Sequence, residues 1–174
     1  MDDSHSPLVL GVDPGLNTTG YSLVRLCQGR PQVVEAGVVR SRRSQSLETR
    51  LAEIHRGIVE VLASFHPAVM AIEELYSHYE RPQTAILMGH ARGVICLAAA
   101  AAGVPIAHYA ATQVKKTLTG SGRAPKAQIQ GAICREFGLA AVPEPPDVAD
   151  ALALAVCHLH FSRHAAPSQQ GIPA

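Results

Sequence analysis

The chain has 174 residues, 47% hydrophobic and 17% charged, with only 4% aromatics and a formal net charge of +1. That composition excludes wholesale disorder and suffices for one domain with its own core. Tryptophan is absent, so small aliphatic side chains have to fill that core.

The opening residues, MDDSHSP, are acidic and polar and lack the basic patch and apolar run of a secretory signal. The longest uncharged apolar stretch, Gly93 to Ala107, falls short of the ~20 residues a bilayer-spanning helix needs and contains Gly103 and Pro105. The expectation is a cytoplasmic protein without a membrane partner. Cysteines at 27, 96, 134 and 157 form no CxxC pair, which argues against a zinc cage and implies no disulfide framework.

In chain order, Leu8–Asp13, Gly20–Leu26 and Gln32–Arg40 are apolar runs separated by turn signals, and they predict three strands in an antiparallel meander. Ser46–Phe65 predicts a helix: Leu47, Leu51, Ile54, Ile58, Leu62 and Phe65 make one stripe, and Ser46 is placed to cap it. Ala68–Glu73 predicts a buried strand ending on a carboxylate. Pro82–Ala102 predicts an alanine-rich helix, and Val104–His108 another strand. Helices near 111–118 and 125–137 flank a GSGRAPK turn, and a last helix runs from Pro146 to His164. The pattern predicts a single α/β domain over 1–164, built on a mixed sheet, with a flexible tail over 165–174.

Four of the fourteen acidic residues stand in unusual places. Asp13 and Glu73 end apolar strands. Asp147 and Asp150 share one face at the start of an apolar helix. Carboxylates at such places are costly unless paired or bound to a cation. Strand ends and a helix packed across them can gather all four, and oxygen-only donors favour Mg²⁺, with Mn²⁺ a substitute, over zinc. Two such ions ~3.5–4 Å apart suit phosphodiester hydrolysis by water. Periodicity alone does not say whether Glu73 or its neighbour Glu74 points inward.

Charge is segregated along the chain. From Arg81 to Arg135 there are seven basic and no acidic residues, so that stretch carries +7 and the rest −6. Lys115, Lys116, Arg123 and Lys126 cluster around the glycine-rich turn and are candidates for binding a phosphate backbone.

The segments LGVDPGLNTTGYSLV, MAIEELY, GHARGV, YAATQVKKTLTGSGRAPKAQIQ and DVADALALAVCHLH together resemble the RuvC-type Holliday-junction endonucleases, which have an RNase H-like fold with a five-stranded sheet. The resemblance spans about residues 8 to 160. It implies that Asp13, Glu73, Asp147 and Asp150 are the acidic metal ligands, and it selects Glu73 over Glu74. It places an aromatic junction wedge on Tyr76 and scissile-phosphate lysines on Lys115 and Lys126. It further implies a homodimer, packed through the helix that holds GHARG, which nicks two like strands of a four-way DNA junction symmetrically to leave 5′-phosphate and 3′-hydroxyl ends. RuvA- and RuvB-type branch-migration proteins would be its partners. His158 is a weaker candidate for a neighbour of the site. The alternatives are an RNase H-like nuclease acting on other branched DNA, or an actin-like nucleotide-binding module suggested by DPGLNTTG.

Overall fold

The structure, a computed structural model, describes residues 6–75 and 82–164. Tyr76, Arg81 and the tail expected over 165–174 lie outside the described residues. Strands β1 (Val9–Asp13), β2 (Thr18–Cys27) and β3 (Arg30–Arg40) form the meander. Helix α1 (Leu47–Phe65) leads to strand β4 (Val69–Glu73), helix α2 (Pro82–Ala101) to strand β5 (Ile106–Tyr109), and helices α3 (Ala111–Thr119), α4 (Lys126–Phe137) and α5 (Pro146–His164) complete the chain. The sheet order is β3-β2-β1-β4-β5, antiparallel through the meander and parallel from β1 through β4 to β5. The mixed α/β sheet expected from the sequence is therefore the one observed.

Strand alternation sorts side chains into two cores. Leu10, Val12, Met70 and Ile72 face α1 and α2 and pack against Ile54, Ile58 and Ile95. Val9, Val24 and Ala71 face the other way, onto α5. That helix is buried nearly all round from Val148 to Cys157, because the sheet covers one side and α3 and α4 cover the other.

Two glycines let α5 lie against the strands. A Cβ added at Gly11 would sit 2.1 Å from the Ala151 carbonyl oxygen, and one at Gly20 would sit 2.1 Å from the Asp147 carbonyl oxygen. Gly20 is the register partner of Asp13. The close approach thus fixes the start of α5 beside the end of β1.

Ser46 occupies the cap position of α1, but its side chain does not cap the helix. Its hydroxyl meets Thr49 Oγ1 at 3.0 Å instead. At the other end His66 adopts a left-handed conformation and donates its N–H to Leu62. All four cysteines are free. By length and composition α2 is apolar enough to cross a bilayer, although it lies on the sheet. Only its Ala91, Ile95, Ala98 and Ala99 side enters the core.

Candidate active site

Parallel pairing sets Val12 beside Ile72, so β1 and β4 end together, with Asp13 and Glu73 as their last residues. Alternation puts Glu73 on the same face as Ala71, the face α5 covers, and turns Glu74 away. The end of β4 is tied down twice: Glu74 N–H donates to the Tyr109 carbonyl at 2.9 Å, and Arg92 Nε of α2 donates to the Glu73 carbonyl at 2.9 Å. From above, the first turns of α5 bring in Asp147 and Asp150. Asp13 and Asp147 line one open cavity, while Glu73 and Asp150 line a second together with Lys115 and Lys126.

The electrostatics register this convergence. Burial, reinforced by Asp150, Glu73 and Asp147 in that order, pushes the Asp13 carboxyl up to about 8, against a smaller opposing pull from Lys126. Burial and Asp150 also raise Glu73, while Lys115 lowers it. Lys126 donates to Asp150 Oδ2 at 2.9 Å and is itself held protonated, chiefly by that bond. The side chains do not close into a ready ligand shell: among the described residues, no three of His, Cys, Asp and Glu stand near enough to hold one ion. Asp150 is instead paired with Lys126. The donor set nevertheless suits a hard divalent cation, because it offers only carboxylate oxygens and the two nearby lysines, Lys115 and Lys126, leave part of the charge of four carboxylates unrelieved.

Comparison with known proteins gives the family. A family profile described as "Crossover junction endodeoxyribonuclease RuvC" matches residues 9–158. The chain belongs to the RuvC family. A RuvC of Rhodopirellula baltica is 60% identical over 149 residues, covering 86% of this chain and 84% of the relative. One from Moorella thermoacetica is 43% identical over 155 residues, covering 89% and 92%. The solved structure titled "T. thermophilus RuvC in complex with Holliday junction substrate" superposes with a TM-score of 0.84 at 32% identity, over 91% of this chain and 96% of that one. The yeast mitochondrial Holliday junction resolvase Ydc2, at 10% identity and a TM-score of 0.68, shares the fold. The chain is thus a crossover junction endodeoxyribonuclease of a metal-dependent nuclease family.

The residues nominated for DNA contact in this RuvC chain divide. Lys115 on α3 and Lys126 at the start of α4 line the cavity that holds Glu73 and Asp150. Lys116 does not join them. It lines a separate cavity with Gln113, Thr117, His160 and Phe161, because consecutive helical residues point about 100° apart. Arg123 is exposed in the turn between α3 and α4 and lines neither cavity. Tyr76 lies outside the described residues. His158 is engaged with Tyr109: its Nδ1 meets the Tyr109 hydroxyl at 2.8 Å, and the rings stack edge-on at 6.0 Å. Burial lowers its pKa, as befits a packed histidine.

Sequence reasoning missed the arginines. Arg40, Arg43 and Arg50 line the same cavity as Asp13 and Asp147. The RSRR run at 40–43 was the available signal, but it lies outside the acid-free stretch on which the charge argument rested.

Proposed function

We propose that this chain resolves four-way DNA junctions as a Mg²⁺-dependent homodimer, with Asp13, Glu73, Asp147 and Asp150 as the carboxylates that hold the metal. One observation carries the reading: β1, β4 and α5 bring four carboxylates to one end of the sheet, where Asp150, Glu73 and Asp147 add to burial in pushing Asp13 up to about 8. Carboxylates perturbed by burial and by like charge are characteristic of functional sites. The cation, two per subunit in this reading, supplies activation of the attacking water and neutralisation of charge on the phosphate. The protein residues do the rest. Arg92 keeps the end of β4 in place through the Glu73 carbonyl. Lys115 and Lys126 border the carboxylates, where their charge suits the phosphate being cut. Tyr76, three residues beyond the last paired position of β4, is the candidate wedge at the junction crossover. A single domain carries this activity in this reading.

The homodimer rests on α2. Ile86 and Leu97 are 61% and 60% exposed, and nothing lies within 4 Å of a Cβ added at Gly89 or Gly93. These four positions fall on one stripe opposite the buried face, apolar and open to close approach by a second copy. Two copies related by a two-fold axis present two sites to one junction, which suits paired symmetric nicks with 5′-phosphate and 3′-hydroxyl ends. RuvA- and RuvB-type proteins are the proposed partners and the cytoplasm the proposed location.

The test is a denaturing gel of a labelled mobile junction. The wild type should give paired symmetric cuts in Mg²⁺ and none in chelator. Asp13→Asn should bind the junction yet cut it more slowly by more than the ~10–100-fold that loss of a group supporting a metal ligand costs. Wild-type cutting by that variant would defeat the metal scheme. Equal cutting of a fork or plain duplex would favour the broader branched-DNA reading.

A further inference from the structure

An open groove of about 1010 Å³ runs along the loop after β1 to Asp13 and Asp147. Its lining contains three guanidinium groups, from the end of β3 (Arg40), the loop that follows (Arg43) and the first turn of α1 (Arg50). None of the three is ion-paired: the ion pairs among the described residues are Lys126–Asp150 and His160–Glu136. Arg50 is nonetheless held firmly. Its Nε donates to Ser41 Oγ at 3.1 Å, and its Nη2 donates to the Leu16 carbonyl at 3.2 Å and to Asn17 Oδ1 at 2.5 Å. All three acceptors are neutral. They orient the guanidinium without cancelling its charge, and they leave its Nη1 donors without a partner among the described residues.

Unpaired arginines, one of them already oriented, are suited to phosphate. The groove is too long and open for a single small anion, and Leu87 and Met88 of α2 add apolar lining suited to sugar and base faces. We infer that Arg40, Arg43 and Arg50 form a second phosphate-binding track, which holds the DNA strand on the side of Asp13 and Asp147 away from Lys115 and Lys126. This inference rests on the nuclease reading above. It assigns to this groove the phosphates adjacent to the one being cut. The strand would then be gripped on both sides of the carboxylates, by lysines in one cavity and arginines in the other.

Arg50 also ties Leu16 and Asn17 to α1, so its removal would disturb the loop after Asp13. The test therefore uses Arg40 and Arg43, which are exposed and make no side-chain hydrogen bond among the described residues. Affinity for a labelled four-way junction is measured by fluorescence anisotropy in chelator across a salt series, for the wild type, for R40Q/R43Q, and for a charge-matched control, R30Q/R56Q, outside the groove. Each phosphate contact contributes ~0.7–0.9 to the slope of log affinity against log salt. The groove variant should bind more weakly, with a slope shallower by about 1.4–1.8, while the control keeps the wild-type slope. Neutral methylphosphonate linkages placed one at a time beside the cleavage point locate the contact. At that position the wild type should lose affinity and R40Q/R43Q should lose no more. An unchanged slope in R40Q/R43Q, or an equal loss in the control, overturns the track and leaves the nuclease reading intact, since wild-type cutting is scored separately. A wild type that neither prefers nor cuts the junction overturns both.

Discussion

Asp13 remains protonated to about pH 8 because burial and three neighbouring carboxylates all disfavour its charge. In the unfolded chain the same group releases its proton near 3.8. Between those values the folded state holds the extra proton, so stability is greatest at the acidic end and is lost as pH rises through the folded pKa. Glu73 is raised as well and adds in the same direction. Without divalent cation, the melting temperature should therefore fall between pH 5 and pH 8.5, and Asp13→Asn should flatten that fall. Mg²⁺ should restore more stability at pH 8.5 than at pH 5.5, because at the lower pH binding must first displace the proton. Differential scanning fluorimetry with and without chelator reads both effects. A pH-independent melt in the wild type would mean that burial and the neighbouring carboxylates do not raise Asp13.

At the scale of elements, the site depends on how α5 rests on β1 and β2. Gly11 and Gly20 are the two places where a side chain would strike the α5 backbone. Gly20→Ala has to push Asp147 outward or bend the strand, at a cost of about 2–3 kcal/mol or more, and junction cutting should fall with it. Ser22 makes a control on the same strand. It is fully buried and its hydroxyl has no hydrogen-bond partner among the described residues. Ser22→Ala should leave the urea midpoint at or above the wild-type value, since an unsatisfied buried hydroxyl is a cost. If Gly20→Ala proves as stable as Ser22→Ala, the close helix–strand contact is not what positions Asp147. The same scale separates what periodicity reveals from what it conceals. The α1 stripe was legible because one face is apolar and the other polar. The capping role expected of Ser46 failed because its hydroxyl had Thr49 within reach.

For the molecule as a whole, the net charge of +1 conceals a segregation that folding rearranges once more. The acid-free stretch does not form one basic surface. Lys115 and Lys126 go to the carboxylates, Lys116 to another cavity, and Arg92 turns inward to the Glu73 carbonyl and to His108 Nδ1, at 2.9 and 2.6 Å. The basic groove comes instead from β3, its following loop and α1. Assembly belongs to this scale too. Leu97→Glu, on the exposed stripe of α2, would set like charges against each other across a two-fold seam. It should halve the mass in sedimentation and turn paired cuts into single nicks while leaving the melt nearly unchanged. A dimer that survives this change would place the interface elsewhere.

Residue order alone was enough for the strands and helices and for marking Asp13, Asp147, Asp150 and the Glu73–Glu74 pair as unusually placed; the inward member of that pair took strand register to identify. Alternation, amphipathic stripes and carboxylates at the ends of apolar runs are local patterns, and local patterns survive in a linear text. Which lysines reach the carboxylates, which arginines line the groove, and that His158 belongs to Tyr109 were decided only by packing. Those relations join positions far apart in the chain, and the direction a side chain takes there depends on which elements lie against each other.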